Sequence, residues 1–590
     1  MTRKMVYAGI AAGLIGIAIA AFGQSDGPKF EIADIHPSPA STAQNQYMRG
    51  GFYRGGRYEV RNATMVDLIR TAYAIDADKV TGGPGWMETD RFDVIAKAPA
   101  DTKAEALQLM LRGLLADRFK LVYHDDVKPL PAYVLTPGKK VLLKQADASG
   151  EPGCKLQPQP DPPAGSPMIG MISMNGVVLR LGAGSLITYN CRNVTMAAFA
   201  DALRTMVFVP GYLNGNRVFD QTELKGAWDF DIKYSLNMRI GPANQEGAPE
   251  VVTVFNAVDK QLGLKLELSK VPTPVIQVDS VNEKPTDNLP GVTEKMPVSP
   301  TEFEVADIKP SNPNPEPGMG RGGCFFCPGG RVNLTNETMS QMINLAWNLN
   351  GPVTSGRVIG LPKSADTVRW DVVAKASTMT SIYPPMNGEA PAEQVDFDSM
   401  RIMLQALLKD RFKLTLHEEQ RPLPGYALVA VKPKLKKADP SNRTGCKEGP
   451  GPDGKDPRIA NPTAGRLVTC LNMTLAQWAE QLPNNASGYF MGMNSFPGGV
   501  VDQTKIEGAY DITISFSAAG LVNGGGGRGG APPPPPGAGG GPGSPEASDP
   551  NSAISLQEAI EKQLGLKLEP QKNPGMVLVV DHVEEKPTDN

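Results

Sequence analysis

Four short segments of the chain share one hydrophobic pattern, and each follows the same four-residue motif. The motif is an Asn, a variable residue, a Thr and an apolar residue. It occurs at residues 62–65, 193–196, 336–339 and 472–475. After each copy, apolar residues recur at helical spacing, as Met65, Leu68 and Ala72 do after the first. This pattern predicts an amphipathic helix that buries one face.

The Thr of each motif is predicted to cap the helix that follows it. A Thr hydroxyl at an N-cap accepts a hydrogen bond from a backbone N–H of the first turn. Gln341 and Gln477 stand three residues after their Thr, which is the spacing of a capping box. We therefore assign these threonines a structural role rather than a binding role. They are Thr64, Thr195, Thr338 and Thr474.

The whole chain is duplicated. Three runs of sequence recur, at 114–121 and 407–414, at 261–267 and 563–569, and at 283–288 and 585–590. Repetition on this scale indicates two homologous halves, residues 28–288 and 302–590, joined by a linker at 289–301.

A second, fainter duplication divides each half into two units. After each capped helix comes an aromatic–Asp–apolar triplet in a strand-like run, then a second amphipathic helix and further strands. The triplets begin at Phe92, Trp228, Trp370 and Tyr510. The expected fold is α+β, an α/β sandwich in which each strand-helix-strand-helix-strand unit packs its helices on one sheet face. The units are expected at about 28–137, 184–288, 302–432 and 464–590.

Segments rich in Pro and Gly separate and interrupt these units. We expect irregular connections at about 138–183 and 433–463, and a Pro-led apolar strand, residues 132–135, that closes the first unit. The tract at 520–550 consists largely of Gly and Pro. Such a composition buries too little apolar surface to order itself, so we expect a disordered insertion in the fourth unit.

Composition and the N-terminus indicate an exported protein. With 590 residues the chain is too long for one core, and its net charge of only −3 does not suggest a nucleic-acid partner. Arg3 and Lys4 precede an apolar run that ends in small residues at Ala21 and Gly23. This predicts a signal peptide over residues 1–23 and a periplasmic or secreted mature protein without a stable membrane span. An uncleaved N-terminal anchor is the alternative.

Export permits disulfides, and four of the six cysteines occupy equivalent places in the two halves. Cys154 and Cys446 lie in the connections, whereas Cys191 and Cys470 stand two residues before a motif Asn. Since equivalent positions should have equivalent partners, we predict Cys154–Cys191 and Cys446–Cys470.

The remaining cysteines form the motif Cys324-Phe-Phe-Cys327 in a Gly-rich loop. We predict a local disulfide between them. A redox dithiol is one alternative, and pairing of either residue with a cysteine of the second-half connection is another.

His124 and His417 recur at matching positions, each followed by two acids, Asp125-Asp126 and Glu418-Glu419. A histidine beside carboxylates can act as a base or a metal ligand. Two ligands in each half are too few for a metal site, so we expect a histidine held by an acid. No catalytic, metal-binding or cofactor-binding residues are assigned.

The repeated runs resemble a known family. The opening Phe303-Glu-Val-Ala-Asp-Ile, the Leu-Leu-x-Asp-Arg-Phe-Lys-Leu run and the Gln-Leu-Gly-Leu-Lys-Leu-Glu run are similar to a soil-associated acidobacterial family whose shared region is the domain of unknown function DUF3738. The resemblance covers nearly all of the mature chain, in tandem, whereas members usually carry one copy. It implies an exported protein without an established activity. Related regions look to be attached outside membrane-embedded sensor metallopeptidases, which suits sensing or binding.

The second unit of each half is also similar, at the level of fold, to the small N-terminal modules of secretins and TonB-dependent receptors, which bind partners in the periplasm. Fold analogy supports function only weakly. We therefore expect a non-catalytic binding or interaction protein of the cell envelope, with an envelope protein or extracellular ligand as partner. The alternative is a periplasmic hydrolase or redox enzyme that uses His124 and His417, or Cys324 and Cys327.

Overall fold

The computed structural model describes most of the chain, with gaps at the N-terminus and in several connections. The described residues are 27–39, 47–147, 151–158, 168–174, 177–182, 185–207, 209–213, 216–235, 252–312, 325–349, 356–381, 393–440, 442–449, 466–490, 497–517, 519 and 554–588. The predicted signal peptide and the tract at 520–550 lie outside these ranges.

The first half alternates strands with short helices. Its helices are α1 (Met65–Tyr73), α2 (Ala104–Phe119), α3 (Met196–Leu203), α4 (Val209–Leu213) and α5 (Val254–Ala257), which continues as the π-turn Val258–Leu262. Its strands are β1 (Ile32–Pro37), β2 (Arg49–Arg54), β3 (Arg57–Thr64), β4 (Val80–Gly82), β5 (Arg91–Lys97), β6 (Val122–Pro137), β7 (Lys144–Gln145), β8 (Gly153–Leu156), β9 (Met168–Met174), β10 (Val177–Gly182), β11 (Leu186–Val194), β12 (Val218–Asp220), β13 (Trp228–Ser235) and β14 (Leu264–Ser280).

The second half repeats this order. Its helices are α6 (Met339–Ala346), α7 (Phe397–Arg411), α8 (Leu475–Asn485), α9 (Ser487–Phe490) and α10 (Leu556–Ala559), which continues as the π-turn Ile560–Leu564. Its strands are β15 (Val305–Pro310), β16 (Phe326–Cys327), β17 (Arg331–Thr338), β18 (Val358–Ile359), β19 (Arg369–Lys375), β20 (Met379–Ser381), β21 (Glu393–Gln394), β22 (Thr415–Ala430), β23 (Lys436–Lys437), β24 (Gly445–Glu448), β25 (Arg466–Thr474), β26 (Val500–Asp502), β27 (Ala509–Phe516) and β28 (Leu566–His582).

Each unit has its own antiparallel sheet with helices against one face, so the fold class is the predicted α+β sandwich. In the first unit the strand order is β1-β5-β3-β2, and in the second it is β7-β13-β11-β8. Alternating residues of β3 and β5, such as Val60 and Val94, are fully buried against Leu68 of α1 and Leu111 of α2. The alternating buried residues of the strands and the apolar residues at helical spacing therefore pack together in one core.

A long two-stranded ribbon joins the two units of a half. Strands β6 and β14 pair antiparallel along nearly their whole length, from Val122–Ser280 to Pro137–Leu264. The far end of each strand enters the other unit: Ile276 and Val278 of β14 belong to the first core. The ribbon β22–β28 does the same in the second half.

This ribbon differs from the sequence-based expectation. Residues 132–135 were expected to close the first unit, but Tyr133 and Leu135 pack in the core of the second unit. The reason is that β6 runs on without a turn, which carries its C-terminal end about ten residues beyond the first core at roughly 3.3 Å per residue. Neither unit of a half therefore has a complete core without the other.

The Pro/Gly-rich connections are also more regular than expected. Short strands β7 and β8 in the first half, and β23 and β24 in the second, extend the neighbouring sheets. β9 and β10 form a separate two-stranded sheet. The prediction of irregular connections is wrong at these strands. β7, β8, β23 and β24 each lie where a sheet edge offers unpaired backbone groups, and β9 and β10 pair with each other.

In all four units the chain passes from strand to capped helix through a β-bulge. The motif Asn has a positive φ, between 49° and 61°, which Asn tolerates better than most residues. Its backbone N–H donates to the Asp of the aromatic–Asp–apolar triplet on the paired strand. The N···O distances are 2.8 Å for Asn62–Asp93, 2.9 Å for Asn193–Asp229, 2.8 Å for Asn336–Asp371 and 3.1 Å for Asn472–Asp511.

The motif Thr that follows each bulge is the N-cap of its helix. The hydroxyl accepts the N–H three residues on, from Asp67, Ala198, Gln341 and Gln477 in turn, at 3.1–3.2 Å. Three units have a capping box, in which the side chain of the residue three positions after the Thr accepts a hydrogen bond from the backbone N–H of the Thr. The side chains of the four threonines therefore contact the first turns of their helices, which is the capping role assigned to them from the sequence.

The repeated Glu-Lys-Pro-Thr-Asp-Asn run closes the half by returning to the first unit. Asn288 accepts a hydrogen bond from the backbone N–H of Ile35 at 3.0 Å and donates to the carbonyl of Ile35 at 3.0 Å. Arg118 at the end of α2 donates to both Asn288 and Thr286. These bonds tie the end of the half to its first strand.

Candidate functional site

The predicted disulfides are present in both halves. Cys154 is bonded to Cys191 with a Cα–Cα distance of 4.0 Å, and Cys446 to Cys470 with 3.9 Å. In each pair the two residues lie directly opposite one another on neighbouring strands. Cys327 is disulfide-bonded, and Cys324 lies outside the described residues.

Each of the two equivalent histidines is held by an acid, which lies on the other strand of the ribbon. His124 Nδ1 lies 2.9 Å from the carboxylate of Asp279, across the ribbon, and His417 Nδ1 lies 3.0 Å from that of Asp581. Asp125, the adjacent acid, is on the opposite face of the strand. Among the described residues, no cluster of three or more His, Cys, Asp or Glu side chains could hold a metal ion.

A surface groove of about 290 Å³ lies where α1 ends beside the ribbon of the first half. We call it the ribbon groove. It is lined by Tyr73, Ile75, Lys79, Asp125, Pro274, Val275 and Ile276. Val275 and Ile276 are buried and form an apolar floor, whereas Lys79 is half-buried and Asp125 is exposed. A concave apolar surface with a few polar groups is the usual form of a ligand site.

Aromatic and charged neighbours fix the walls of the ribbon groove. The ring of Tyr73 meets that of Tyr123 edge-on, with centroids 4.9 Å apart, and the Arg112 guanidinium lies 4.5 Å from the Tyr73 ring centroid. Burial, reinforced by the hydrogen bond with Tyr123, raises the pKa of Tyr73. Burial and the nearby charge of Arg217 lower the pKa of Lys79. The groove thus offers a rigid aromatic wall and one opposed pair of charges.

Two residues beside the ribbon groove differ in the second half, although the lining itself largely keeps its character, with Trp347, Glu418 and Leu578 in place of Tyr73, Asp125 and Ile276. Tyr123 is replaced by Leu416 and Val127 by Gln420. Tyr123 and Val127 are large apolar side chains that remain 38% and 61% exposed beside the groove. The exposed apolar surface beside the groove therefore belongs to the first half, whereas the repeat largely preserves the lining of the groove itself.

A second polar site lies between the halves, on the outer face of β3. Arg57, Glu59 and Arg61 alternate along the strand and so share that face. The Glu59 carboxylate accepts from Arg57 Nε at 2.8 Å and is ion-paired with Arg61. Burial by itself lowers the pKa of Arg61. The Glu59 carboxylate and the neighbouring acids have the larger combined effect, so the pKa of Arg61 is raised.

The second half supplies the other side of this site from α7. Asp398 contacts Arg49 Nη1 at 3.2 Å and Arg401 Nη1 at 3.1 Å, so it joins an arginine from each half. Asp398 and Glu59 line the same small cavity, of about 10 Å³. The carboxylates are already paired with guanidinium groups, which makes this network a contact between the halves rather than an open ligand site.

Backbone pairing accompanies the charged contacts. Strand β20 of the second half pairs antiparallel with β2 of the first and extends that sheet to six strands together with β21. Arg443 of the second half contacts Glu88 of the first, with Nε 2.9 Å from the carboxylate. The two halves are thus joined by a sheet and by two groups of ion pairs.

Sequence reasoning missed the role of the triplet Asp and the residues between the halves. The Asp could have been found, because it recurs four times in step with the motif Asn. Arg443 and Glu88 are 355 positions apart, and neither recurs in the other half, so no repeat marks them.

The fold defines a class of α+β proteins whose small sheets are joined in pairs by a long ribbon. A family model described as "Protein of unknown function (DUF3738)" matches residues 66–281 and again 340–583. The chain belongs to this family and carries its domain twice. No curated protein and no solved structure matches the chain.

Proposed function

We propose that this protein is an exported, non-catalytic binding protein of the bacterial cell envelope, and that the ribbon groove receives its partner. The groove carries the proposal, because it combines an apolar floor and an aromatic wall with opposed charges at its rim. Such a surface suits a short apolar segment of an envelope protein, with polar groups that pair with Lys79 and Asp125.

The polar residues that recur in all units support a scaffold role for the repeat. Each motif Asn, motif Thr and triplet Asp makes a hydrogen bond to the backbone or receives one from it. These residues therefore hold bulges and helix ends. The binding surface is accordingly expected among residues that differ between the halves, such as Tyr123 and Val127 beside the ribbon groove.

Export is supported by the two disulfides, since such bonds persist in oxidising compartments such as the periplasm. The acidobacterial resemblance of the sequence agrees with an envelope location. Within the part of the chain that the structure describes, no helix is apolar over a length sufficient to cross a membrane.

The test uses the mature chain, residues 24–590, immobilised and incubated with envelope extract. Asp125→Lys reverses a charge at the groove, and Glu418→Lys makes the same change at the equivalent position of the second half. We expect a specific partner to be lost with Asp125→Lys and retained with Glu418→Lys. Equal capture by both variants would contradict the assignment of the groove. Hydrolysis of a substrate that is lost in His124→Gln would instead support the enzymatic alternative.

A further inference from the structure

A loop of the second half is inserted against the first half at one well-defined place. We call residues 442–445 the interface loop. Besides its contact with Glu88, the Arg443 guanidinium donates to the backbone carbonyl of Val80 in β4. Its side chain is only 14% exposed, and that of Glu88 is 22% exposed. Charged groups this far from solvent need their partners, so the contact is sensitive to the position of the loop.

The backbones of the two halves approach closely at the same place. A Cβ atom added to Gly445 would stand 2.7 Å from the Glu88 carboxylate, and one added to Gly85 would stand 2.9 Å from the Thr444 hydroxyl. Both distances are shorter than carbon and oxygen atoms tolerate without movement. The interface loop therefore lies directly against the first half, without room for an added side-chain atom unless Glu88 or Thr444 moves.

The Cys446–Cys470 disulfide sets that position. Cys446 directly follows the interface loop, and Cys470 lies in β25, whose bulge residue Asn472 donates to the carbonyl of Asn442 at 3.0 Å. The Thr444 hydroxyl donates in turn to the carbonyl of Asn472 at 3.1 Å. The loop is thus fixed to β25 at both ends, and the disulfide is the covalent attachment.

The equivalent disulfide of the first half has no such contact. Aligning Cys154 with Cys446 places Glu151 at the position of Arg443 and Gly153 at that of Gly445. A Cβ atom added to Gly153 meets nothing within 4 Å. Glu151 pairs with Lys155 of its own segment and is 77% exposed. The two disulfides are therefore matched in local geometry and differ in what their loops contact.

We propose that Cys446–Cys470 is a redox-sensitive clamp that holds the second half against the first, whereas Cys154–Cys191 acts only within its own half. A dithiol reductant that supplies two electrons and two protons, and closes to its own disulfide, converts the clamp into two thiols. The interface loop is then held to β25 only by hydrogen bonds, and the Arg443–Glu88 contact is less firmly positioned.

The experiment is hydrogen–deuterium exchange of the full mature chain, followed by mass spectrometry of peptides that cover residues 80–90. The variant Cys446→Ser/Cys470→Ser is compared with Cys154→Ser/Cys191→Ser. We expect roughly tenfold faster exchange in residues 80–90 for the first variant and unchanged exchange there for the second. Low concentrations of a dithiol should accelerate the same peptides in the wild type, and should have no further effect on them in Cys446→Ser/Cys470→Ser.

A second pair of variants tests the interface with both disulfides intact. Gly445→Ala should accelerate exchange in residues 80–90, whereas Gly153→Ala, which introduces a side chain at a similar positive φ, should not. Peptides from α8 report whether the fourth unit remains folded. The proposal is overturned if residues 80–90 respond equally to both disulfide variants or to neither. It is also overturned if α8 loses protection in Cys446→Ser/Cys470→Ser while Gly445→Ala leaves residues 80–90 unchanged.

Discussion

The hydrogen bond between the Asp229 carboxylate and the backbone N–H of Asn193 is the most direct test of how the repeat is built. It spans 2.9 Å and fixes the bulge between Cys191 and Val194, both of which are buried. Asp229→Ala removes the acceptor and leaves the N–H without a protein partner beside the core. A hydrogen bond to a charged group contributes about 1.5–3 kcal/mol, so we expect a loss of this size in the free energy of local opening.

The assay is amide hydrogen exchange resolved to Asn193, because a chain of several units does not unfold in a single step and a global free energy would be ill defined. At about 1.4 kcal/mol for each tenfold change, the Asn193 amide should exchange roughly ten to a hundred times faster in Asp229→Ala. Asn193→Gly should change exchange of this amide much less, since it keeps both the N–H and the positive φ of 49°.

Asp231→Ala is the matched control, two residues further along the same strand. Asp231 contacts Arg192 at 3.0 Å, but its side chain is 51% exposed, and an exposed ion pair contributes about 1 kcal/mol or less. We expect the Asn193 amide to respond weakly to this variant. If Asp231→Ala and Asp229→Ala have the same effect, or if neither has one, the triplet Asp does not hold the bulge and the explanation of the fourfold repeat is wrong.

Two further predictions concern alkaline pH and the closing segment of the first half. Burial raises the pKa of Tyr212 and of Tyr489 to about 12. Since Tyr ordinarily titrates near pH ~10, their neutral hydroxyls contribute stability that is present in full below that pH and is lost as the pH rises through about 12. Replacing both by Phe should remove tyrosinate absorbance that develops near pH 12 in an alkaline titration, and an unchanged titration would contradict the assignment. Asn288→Ala removes the bonds to Ile35 and Arg118; it should destabilise β1 by about 1–3 kcal/mol, measured as faster exchange of the Ile35 amide, with α3 as the unaffected reference.

The local parts of this fold were predictable because their causes are short-range or repeated. A Thr directly before an apolar stripe of helical spacing is enough to place an N-cap, because its hydroxyl can accept the backbone N–H three residues on. The structure has such a cap at Thr64 and at each of its equivalents. The disulfides followed from symmetry, since Cys154 and Cys446 occupy the same place in two copies of one domain. The candidate groove was not predicted, because Tyr73 and Pro274 lie about two hundred positions apart and neither carries a recognisable motif.

The amino-acid sequence by itself determined the capped helices, the four units, the two halves and the cysteine pairs, because periodicity and repetition are properties of the chain that need no coordinates. Only the tertiary structure decided which core receives the end of each ribbon strand, that His124 is held by Asp279 rather than by Asp125, and that Arg443 meets Glu88. These outcomes depend on how far β6 extends and on which elements its two ends pack against. A hydrophobic pattern specifies that a face is buried, but many partners can bury it equally well, and the choice is made by the geometry of the assembled chain.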